Sequence, residues 1–468
     1  MRRRRRSSKS TLVVGILIGL MTVLPGWSQT QEEVLRSFIP WAQRSLHRVN
    51  VVALDESTRD LEPVEEMVGQ ARIVELSEGI HGGAEPLVFR NRLFKHLVTH
   101  MGFDAIALES GVVEGRLLND YVTEGAGEFE TVLAQGFSNG FGIFQQNRDL
   151  LRWMRDYNAH LPSNQRRVQI YGLDVPGSPG NFDAARRPDT ALQTVLEYLR
   201  NVDGAEASRM QSRVEEFLPV LRSIDGYGSL SQAQRDSLTA TVADLGALME
   251  RQTFAYIARS SAEDFEWAER AAIGARQADT WFRTMPLNWK PSDGLAWTRY
   301  AMQVRDRTMA DNLEWVRSRL NPRSRILVFA AIGHVASTTQ VQVPLSAHLD
   351  MIPLGAYVKE RHGNDVVNIL NLVANGEISY CSATPPRPMP LRAAPEPGAE
   401  ALFGSLGVPS YLIDLRRAPP PVSHWLRQVH DHWNGFGSTL FPTSEAYDLV
   451  YFVSPMTPAC AKTAMRWR

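Results

Sequence analysis

The sequence predicts an α/β fold: a mostly parallel central sheet flanked by helices, interrupted by a helical subdomain and completed by a small α+β region. Short apolar runs typical of strands alternate with segments whose apolar residues recur at helical spacing. Strands separated by helices imply crossover connections and parallel pairing. Between about residues 177 and 320 the strand signal stops and long helical segments follow one another, which indicates an insertion.

Residues 1–28 have the features of a secretory signal peptide. Five arginines and Lys9 precede a 13-residue apolar run at positions 12–24, which ends in Pro-Gly-Trp-Ser. The run is shorter than the ~18 residues of a membrane span, so we predict cleavage and export, with an uncleaved membrane anchor as the alternative. The mature protein is expected to be secreted or periplasmic, without a stable membrane partner after signal cleavage.

The composition fits a large globular chain that does not bind nucleic acid. The 468 residues are 44% hydrophobic, enough to fill the cores of two or three domains. The formal charge is −1 and becomes −7 without the signal peptide, which carries six basic residues and no acidic ones. Since no basic cluster remains, no nucleic-acid partner is expected. We predict a monomer.

Two cysteines, Cys381 and Cys460, lie in the C-terminal part of the chain. In an exported protein such a pair can form a disulfide, and the sequence leaves the bonded and free states equally open. No CxxC motif or paired Cys/His spacing indicates structural zinc.

The first part of the predicted α/β domain covers residues 31–176. It begins with an amphipathic helix at 31–50, whose apolar residues recur at helical spacing. The elements predicted after it are a strand at 72–77, a helix at 86–101, a strand at 104–110, a helix at 113–122, a glycine-rich loop, a helix at 148–158 and a strand at 167–173.

Residues 177–320 are predicted to form the helical insertion subdomain. Its helical segments are 190–202, 205–224, 231–252, 261–282 and 293–320. Its tryptophans are Trp267, Trp281, Trp289 and Trp297. They either line a groove that faces the sheet or pack inside a helix bundle, and we favour the packed interior.

Residues 321–468 continue the α/β domain and add the small α+β region. The run at 325–332 is continuously apolar, as in a strand that is buried on both faces. Further strands are predicted at 365–374, 411–414 and 446–453, and the proline-rich stretch at 385–397 is predicted to be a loop or linker.

Four predicted parallel strands end in ionisable residues, which are Glu78 with His81, Glu109, Asp174 and His334. Each residue alone has an ordinary explanation, because strand-end carboxylates often cap helices and histidines in turns are often scaffolding. The carboxyl ends of parallel strands meet at one edge of a sheet, where ligands bind in open α/β folds. We therefore predict an active site centred on Glu78 and His81, with the part of Asp174 left open.

Such residues support proton transfer. An imidazole titrates near the working pH, and neighbouring carboxylates fix its tautomer and stabilise its charged form. His81 is expected to activate a water, and the second imidazole, His334, to polarise a carbonyl or protonate a leaving alkoxide. The alternative use of these side chains is to bind a divalent metal. We predict no metal and no cofactor.

Two other motifs are weaker. Gly136 to Gly140 match G-x-S-x-G around Ser138, but a nucleophile elbow needs a strand before it and a helix directly after it. His430 and His432 resemble a metal-binding pair but stand in a polar stretch, so we predict that they lie on the solvated surface.

Four segments, in order, resemble the erythromycin esterase family. They are SEGIHGGAE, GFDAIALESGVVEGRLLNDYV, LLRWMRDYN followed by YGLD, and RDRTMADNLEWV followed by ILVFAAIGHVAS. Weaker similarity continues in LGAYVKERHGNDVVNIL and EAYDLVYF, so the resemblance covers nearly all of the mature chain. Departures from the usual family pattern are Ser77 in place of glycine, Ala331-Ile332-Gly333 in place of an asparagine-containing segment, and Gln146 near a common glutamate.

The resemblance implies a hydrolase of ester or lactone bonds, in the named members of the family the macrolide ring. Together with the predicted signal peptide, this leads us to expect an exported hydrolase of a macrolide-like or other bulky ester or lactone. The family's Glu-x-x-His-Gly motif falls on Glu78 and His81, its strand-end glutamate on Glu109 and its second histidine on His334. We predict that these four residues are catalytic. Glu85, Glu114 and Asp174 are predicted to bind substrate. The alternatives are a metal-dependent hydrolase at the same site and a non-catalytic exported binding protein.

Overall fold

The computed structural model describes residues 29–177, 189–293, 297–344, 348–379, 387–394, 396, 398–433, 435 and 437–460. The predicted signal peptide lies outside these residues. The strands in the described ranges are β1 (His47–Arg48), β2 (Ile73–Glu78), β3 (Ala105–Gly111), β4 (Gln169–Asp174), β5 (Ile326–Ala331), β6 (Val341–Pro344), β7 (His348–Met351), β8 (Val366–Val373), β9 (Glu377–Ile378), β10 (Met389–Pro390), β11 (Ser410–Asp414), β12 (Val429–Trp433), β13 (Ser438–Pro442) and β14 (Leu449–Val453).

The α-helices of the same ranges are α1 (Gln29–Ser45), α2 (Pro63–Val68), α3 (Ala84–Met101), α4 (Gly115–Glu124), α5 (Phe129–Gly136), α6 (Gln145–His160), α7 (Thr190–Val202), α8 (Gly204–Val214), α9 (Ile224–Gly228), α10 (Gln232–Ile257), α11 (Ala262–Phe282), α12 (Thr298–Arg319), α13 (Leu354–His362), α14 (Ala399–Gly404), α15 (Pro420–Leu426) and α16 (Thr443–Ala446). In the described part of the chain none of them is long and apolar enough to cross a membrane.

An eight-stranded sheet forms the centre of the fold, in the order β1-β11-β14-β8-β2-β5-β3-β4. The six strands from β14 to β4 pair in parallel, and β11 and β1 add an antiparallel edge. The predicted fold class is confirmed. β5, which returns after the helical segment, lies between β2 and β3. The four strands predicted to carry the site are therefore neighbours.

Both faces of the sheet are covered, which explains its continuously apolar strands. Along β2, Ile73 packs into the core on the α12 side, whereas Val74 and Leu76 pack into the core on the α3 side. Successive side chains of a strand point to opposite faces, so each residue of β2 contributes to one core or the other. Each such aliphatic side chain gains about 1.5–3 kcal/mol from burial.

Helices from α7 to α12 build a third core in the stretch between β4 and β5. Trp281 and Trp297 are buried in this third core, with ring centroids 5.1 Å apart in an edge-to-face contact. Trp267 is also buried and stacks on Tyr171 of β4 at 6.2 Å. These three tryptophans pack inside the protein, so the groove-lining alternative is wrong for them. The exact domain boundaries remain predictions.

The second sheet was not predicted. It has four antiparallel strands in the order β12-β13-β6-β7. The predicted surface position of His432 is wrong: it lies on β12, is 1% exposed, and its ring stacks on Phe441 at 3.9 Å. His430 is half-buried and donates to the carbonyl of Trp425.

Two segments that were predicted to be loops contain regular structure. The glycine-rich loop expected before α6 contains α5, whose first turn is capped by the carboxylate of Glu128. Part of the proline-rich stretch is not a loop, because β10 pairs with β9.

Cys460 is disulfide-bonded, and Cys381, the other cysteine of the sequence, lies outside the described residues.

Candidate active site

The end of β2 and the turn after it bring Glu78 and His81 together. Glu78 is the last residue of the strand, and its Oε2 lies 2.7 Å from Nδ1 of His81. The turn depends on glycine, because Gly82 has φ +91° and a Cβ there would lie 2.9 Å from the carbonyl oxygen of Ser379. α3 starts two residues later, so the imidazole is held between a buried strand and a helix N-terminus.

The ends of β3 and β4 add two carboxylates, which are joined by an arginine from α12. Nη2 of Arg305 lies 2.6 Å from Oε1 of Glu109 and 2.5 Å from Oδ2 of Asp174. Its Nε lies 3.0 Å from both carboxylate oxygens of Asp174. All three side chains are buried. Because one guanidinium binds both carboxylates, it links the ends of β3 and β4.

His334, just after β5, lies against this arginine. Nη1 of Arg305 is 3.0 Å from Nε2 of His334, and Nδ1 of His334 is 2.8 Å from Oδ1 of Asp306. Arginine can only donate, so Nε2 accepts and the proton of the ring is on Nδ1. Both nitrogens of His334 are thus engaged, and Nε2 lies 3.6 Å from Oε1 of Glu109.

His81 faces Glu109 with its other nitrogen. Nε2 of His81 lies 3.9 Å from Oε2 of Glu109, which also accepts a hydrogen bond of 2.7 Å from the backbone of Ala331. Burial alone lowers the pKa of His81, but the charge and hydrogen bond of Glu78, with a smaller contribution from Glu109, raise it to about 9. Burial alone raises the pKa of Glu109, but the neighbouring histidines and Arg305 lower it to about 2. At neutral pH the resting site holds an imidazolium between two carboxylates.

A small cavity lies directly over His81. It encloses about 20 Å³, and its walls include Glu78, Glu109, Arg90 and Phe141. The Phe141 ring covers the imidazole at 5.0 Å between centroids. Since ~10–15 Å³ suffices for one water molecule, this space is the size of a single water.

A larger cavity of about 840 Å³ adjoins the small one. The two share Phe137, and Ser110, in the wall of the small cavity, accepts a 2.8 Å hydrogen bond from the backbone of Ser138, in the wall of the large one. Its volume falls in the ~300–1,000 Å³ range of small-molecule sites. A bulky ligand can therefore lie beside the residues that contact the water-sized space.

Comparison with known proteins identifies the family of this chain. A profile of the erythromycin esterase family matches residues 98–454, well over half of the chain. The chain belongs to the erythromycin esterase family. Erythromycin esterase type II of Escherichia coli is 22% identical over 325 residues, which cover 67% of this chain and 72% of the relative. Type I of the same species is 25% identical over 318 residues, covering 64% and 70%.

Solved structures share the fold. A crystal structure of a Bacillus cereus protein matches with a TM-score of 0.74 at 22% identity, over 91% of this chain and 98% of that chain. A mutant erythromycin esterase in an open conformation matches with a TM-score of 0.66 at 20% identity, over 88% and 97%. Membership of the erythromycin esterase family implies that the protein hydrolyses ester bonds. At 22% and 25% identity, the relatives do not fix its own substrate.

The structure brings five of the predicted site residues of this family member into one cluster, which are Glu78, His81, Glu109, Asp174 and His334. Glu114 lines the neighbouring large cavity instead. Glu85 lies outside the cluster, and its carboxylate accepts hydrogen bonds from the backbone and hydroxyl of Thr457. Asp174, the residue whose part was left open, is fully buried and paired with Arg305.

The residues that depart from the family pattern keep structural contacts. Oγ of Ser77 accepts a 2.8 Å hydrogen bond from the backbone of Asn371 on β8, away from the cavity. Ala331 contributes its backbone N–H to Glu109, which any side chain at that position allows. Ser138 follows the helix α5 and not a strand, so it lacks the setting of a nucleophile elbow, and its Oγ accepts a 2.9 Å hydrogen bond from the backbone of Gly111.

Three contributors to the site were missed in the sequence: Arg90, Arg305 and Asp306. Arg305 and Asp306 open the segment RDRTMADNLEWV, which was recognised only as a family motif. A signal was present, since Arg305 lies at helical spacing from Ala301 and Met309, on the stripe that the helix buries. Arg90 lies within the long helix α3 and is 1% exposed, which its sequence neighbours do not reveal.

The described residues hold no group of three or more His, Cys, Asp or Glu side chains arranged to bind a metal ion. The cation among the carboxylates of the cluster is the guanidinium of Arg305, which contacts Glu109 and Asp174. Metal independence itself stays a prediction.

Proposed function

We propose that the protein hydrolyses an ester or lactone bond of a bulky, macrolide-like small molecule by means of a water molecule that His81 activates. The observation that supports this most strongly is the placement of His81 between Glu78 at 2.7 Å and Glu109 at 3.9 Å, under a cavity the size of one water. The large adjoining cavity supports a bulky substrate.

The neutral form of His81 is the base. Its Nδ1–H donates to Glu78, which leaves the lone pair of Nε2 facing the small cavity and Glu109. A water between Nε2 and Glu109 gives one proton to His81 and attacks the ester carbonyl. The imidazolium then returns the proton to the leaving alkoxide, the acyl–oxygen bond breaks, and the products are a carboxylic acid and an alcohol.

Positive charge is available to the tetrahedral intermediate. Arg90 lines the same small cavity, and its guanidinium is held by the side-chain oxygens of Asn91 and Asn147 at 2.6 and 2.7 Å. A preorganised cation stabilises an oxyanion better than mobile water does. His334 acts through Arg305 in this proposal, because both of its ring nitrogens are already occupied.

The experiment is turnover of a panel of macrolides and aryl esters, monitored by mass spectrometry. His81→Ala should abolish hydrolysis with an unchanged circular dichroism spectrum, and His424→Ala, a change of an exposed histidine on α15, should not. No adduct should form with a serine-directed phosphonate; stoichiometric labelling would contradict the water mechanism.

Two further results separate the alternatives. After dialysis against a chelator full activity is expected, and a loss that manganese or zinc restores would establish the metal-dependent alternative. No turnover of any ester would leave the fold and the family membership intact and would favour a non-catalytic binding protein.

We also propose that the protein is exported after cleavage of the first 28 residues. Expression with the native N-terminus, followed by N-terminal sequencing of the soluble extracytoplasmic fraction, should give a chain that starts near Gln29. A full-length chain retained in the membrane fraction would instead indicate an anchor.

A further inference from the structure

The last described residues of the chain lie against the turn that follows His81. We call residues 456–460 the C-terminal strap. Met456 and Ala459 of the strap are buried. Cys460 is disulfide-bonded, which ties the strap covalently to another part of the protein. The strap contacts each residue from Gly82 to Glu85, directly after the proposed base.

Backbone atoms make the first of these contacts. The carbonyl oxygen of Gly82 accepts hydrogen bonds of 2.9 Å from the backbone of Ala459 and 3.1 Å from the backbone of Ser379. A Cβ at Gly83 would lie 2.0 Å from Sδ of Met456. The strap therefore packs directly on the main chain of the turn.

Thr457 of the strap caps α3. The N-cap residue of this helix is Gly83, which has no side chain that could bind the N–H groups of the first turn. The carbonyl oxygen of Thr457 accepts a 2.8 Å hydrogen bond from the backbone of Ala84, the first residue of the helix. A segment that is distant in the sequence thus supplies a cap that the local sequence lacks.

The side chain of Glu85 completes this contact. It is 8% exposed, and its two carboxylate oxygens accept hydrogen bonds from the same residue of the strap. Oε2 accepts from the backbone of Thr457 at 2.7 Å, and Oε1 accepts from the hydroxyl of Thr457 at 2.5 Å. The N–H, the hydroxyl and the carbonyl of Thr457 are therefore all bonded to the start of α3.

The position of His81 depends on this helix start. Glu78 is held within the buried strand β2, whereas His81 lies in the turn between β2 and α3. Their 2.7 Å contact is therefore sensitive to any movement of the turn. Arg90, in the wall of the small cavity, lies on the same helix and would move with its first turn. A misplacement of about 1 Å can lower a reaction rate by about 100-fold.

We propose that Glu85 and Thr457 are positioning residues for the hydrolysis: their contact fixes the turn before α3 and thereby holds His81 against Glu78. This inference rests on the proposed function, but the contact it concerns exists in the resting protein. Loosening the cap should lengthen the contact between His81 and Glu78, so the pKa of His81 should fall from its raised value of about 9. The kcat should fall because the base is misplaced, whereas KM should change little because neither residue lines the large cavity.

The first measurement is steady-state kinetics of variants at Thr457. Thr457→Val keeps the shape of the side chain and removes the hydroxyl, and Thr457→Ser keeps the hydroxyl. Thr457→Val should lower kcat by about tenfold or more, change KM by less than about twofold, and move the rising limb of the kcat/KM profile to lower pH. Thr457→Ser should behave as the wild type does.

A double variant tests whether the two residues act through one contact. Glu85→Ala should lower kcat at least as much as Thr457→Val, and adding Thr457→Val to Glu85→Ala should cause no further loss. If Glu85→Ala does not fold, Thr457→Val decides the question, because Thr457 is exposed and its replacement leaves the backbone bonds in place.

The second measurement does not need activity. NMR of protein with isotope-labelled histidine follows the titration of His81, whose signal is assigned by its absence in His81→Ala. The pKa of His81 should be lower in Thr457→Val than in the wild type. The matched control is Thr239→Val, which removes a 2.7 Å contact of a hydroxyl with Asp279 between α10 and α11 and should change neither the pKa nor kcat.

Unchanged kcat and an unchanged pKa of His81 in folded Thr457→Val would overturn the inference. So would a rise in KM at constant kcat in Glu85→Ala, which would make Glu85 a substrate-binding residue. A wild-type protein that hydrolyses no ester would remove the proposed function, and the NMR titration would then decide by itself whether the strap positions His81.

Discussion

Nδ1 of His81 lies 2.7 Å from Oε2 of Glu78, and this contact is the main reason that the imidazole is a stronger base than a free one. The carboxylate stabilises the protonated ring against the effect of burial. It also directs the lone pair of the neutral ring toward the cavity. Glu78 thus makes His81 a stronger base, but it also lowers the fraction of His81 that is unprotonated at neutral pH.

The first prediction follows from that balance. With a pKa of about 9, His81 is protonated at pH 7, so kcat/KM should rise with pH and reach half of its plateau near pH 9. Replacing Glu78 with Gln removes the charge that raises the pKa, and the rising limb should move to lower pH while the plateau falls. The measurement is a pH profile of kcat/KM from pH 5 to 10.

Glu33→Gln, an exposed change on α1, serves as the control and should leave the profile in place. A profile that is flat from pH 6 to 10 in the wild-type protein would contradict a His81 base whose pKa Glu78 raises.

The second prediction concerns Arg305. Its replacement by Met leaves Glu109 and Asp174 buried without their cation, and losing one partner of a buried ion pair costs about 3–5 kcal/mol. The free energy of unfolding from urea titration should fall by that amount. Arg307→Met, on the same helix, removes an exposed pair with Asp311 and should cost about 0–1 kcal/mol. Equal losses in the two variants would show that Arg305 is not structurally important.

The third prediction compares two glycines: backbone atoms block the space for a Cβ at one of them, and that space is empty at the other. A Cβ at Gly172 on β4 would lie 2.1 Å from the carbonyl oxygen of Gly111 on β3, and neither backbone can move without disturbing the sheet. Gly172→Ala should therefore lower the melting temperature sharply or prevent folding. A Cβ at Gly246 in α10 meets nothing within 4 Å, so Gly246→Ala should stabilise the helix by about 0.5–1 kcal/mol. Thermal unfolding of both variants checks the pair.

The sequence predicted the parallel sheet and the strand-end members of the site for one physical reason. Carboxyl ends of parallel strands meet at one edge, so Glu78, Glu109 and Asp174 converge once their strands are recognised. This prediction did not require the order of the strands. The position of β5 between β2 and β3 brings His334 close to Glu109.

The remaining residues depend on tertiary packing. Arg305 lies on α12, a helix of 22 residues. The periodicity of its sequence does not predict the direction in which this helix crosses the sheet, so the contact of Arg305 with the cluster could not be predicted. His432 was expected in water because its neighbours are polar, but β13 and Phe441 cover it. The local sequence predicts whether a segment forms a strand. The burial of the side chains of β12 depends instead on its partner strand, β13, which comes later in the chain.

The last prediction concerns Glu75, a carboxyl in the middle of β2 that the proposed chemistry does not use. It is fully buried; Oε2 accepts a 2.6 Å hydrogen bond from Asn368, and among the described residues Oε1 has no hydrogen-bond partner. Burial raises its pKa to about 8, so the folded protein holds this proton more tightly than the unfolded chain does. The resulting stability is present at low pH and is lost as the pH rises from about 4.5 through 8. Glu75→Gln stays neutral and keeps an acceptor for Asn368, so it should match the wild type at pH 5 and exceed it at pH 9, by at most about 5 kcal/mol. Urea titrations at both pH values measure the difference, and an advantage of the variant that is the same at pH 5 and pH 9 would show that Glu75 does not titrate in this range.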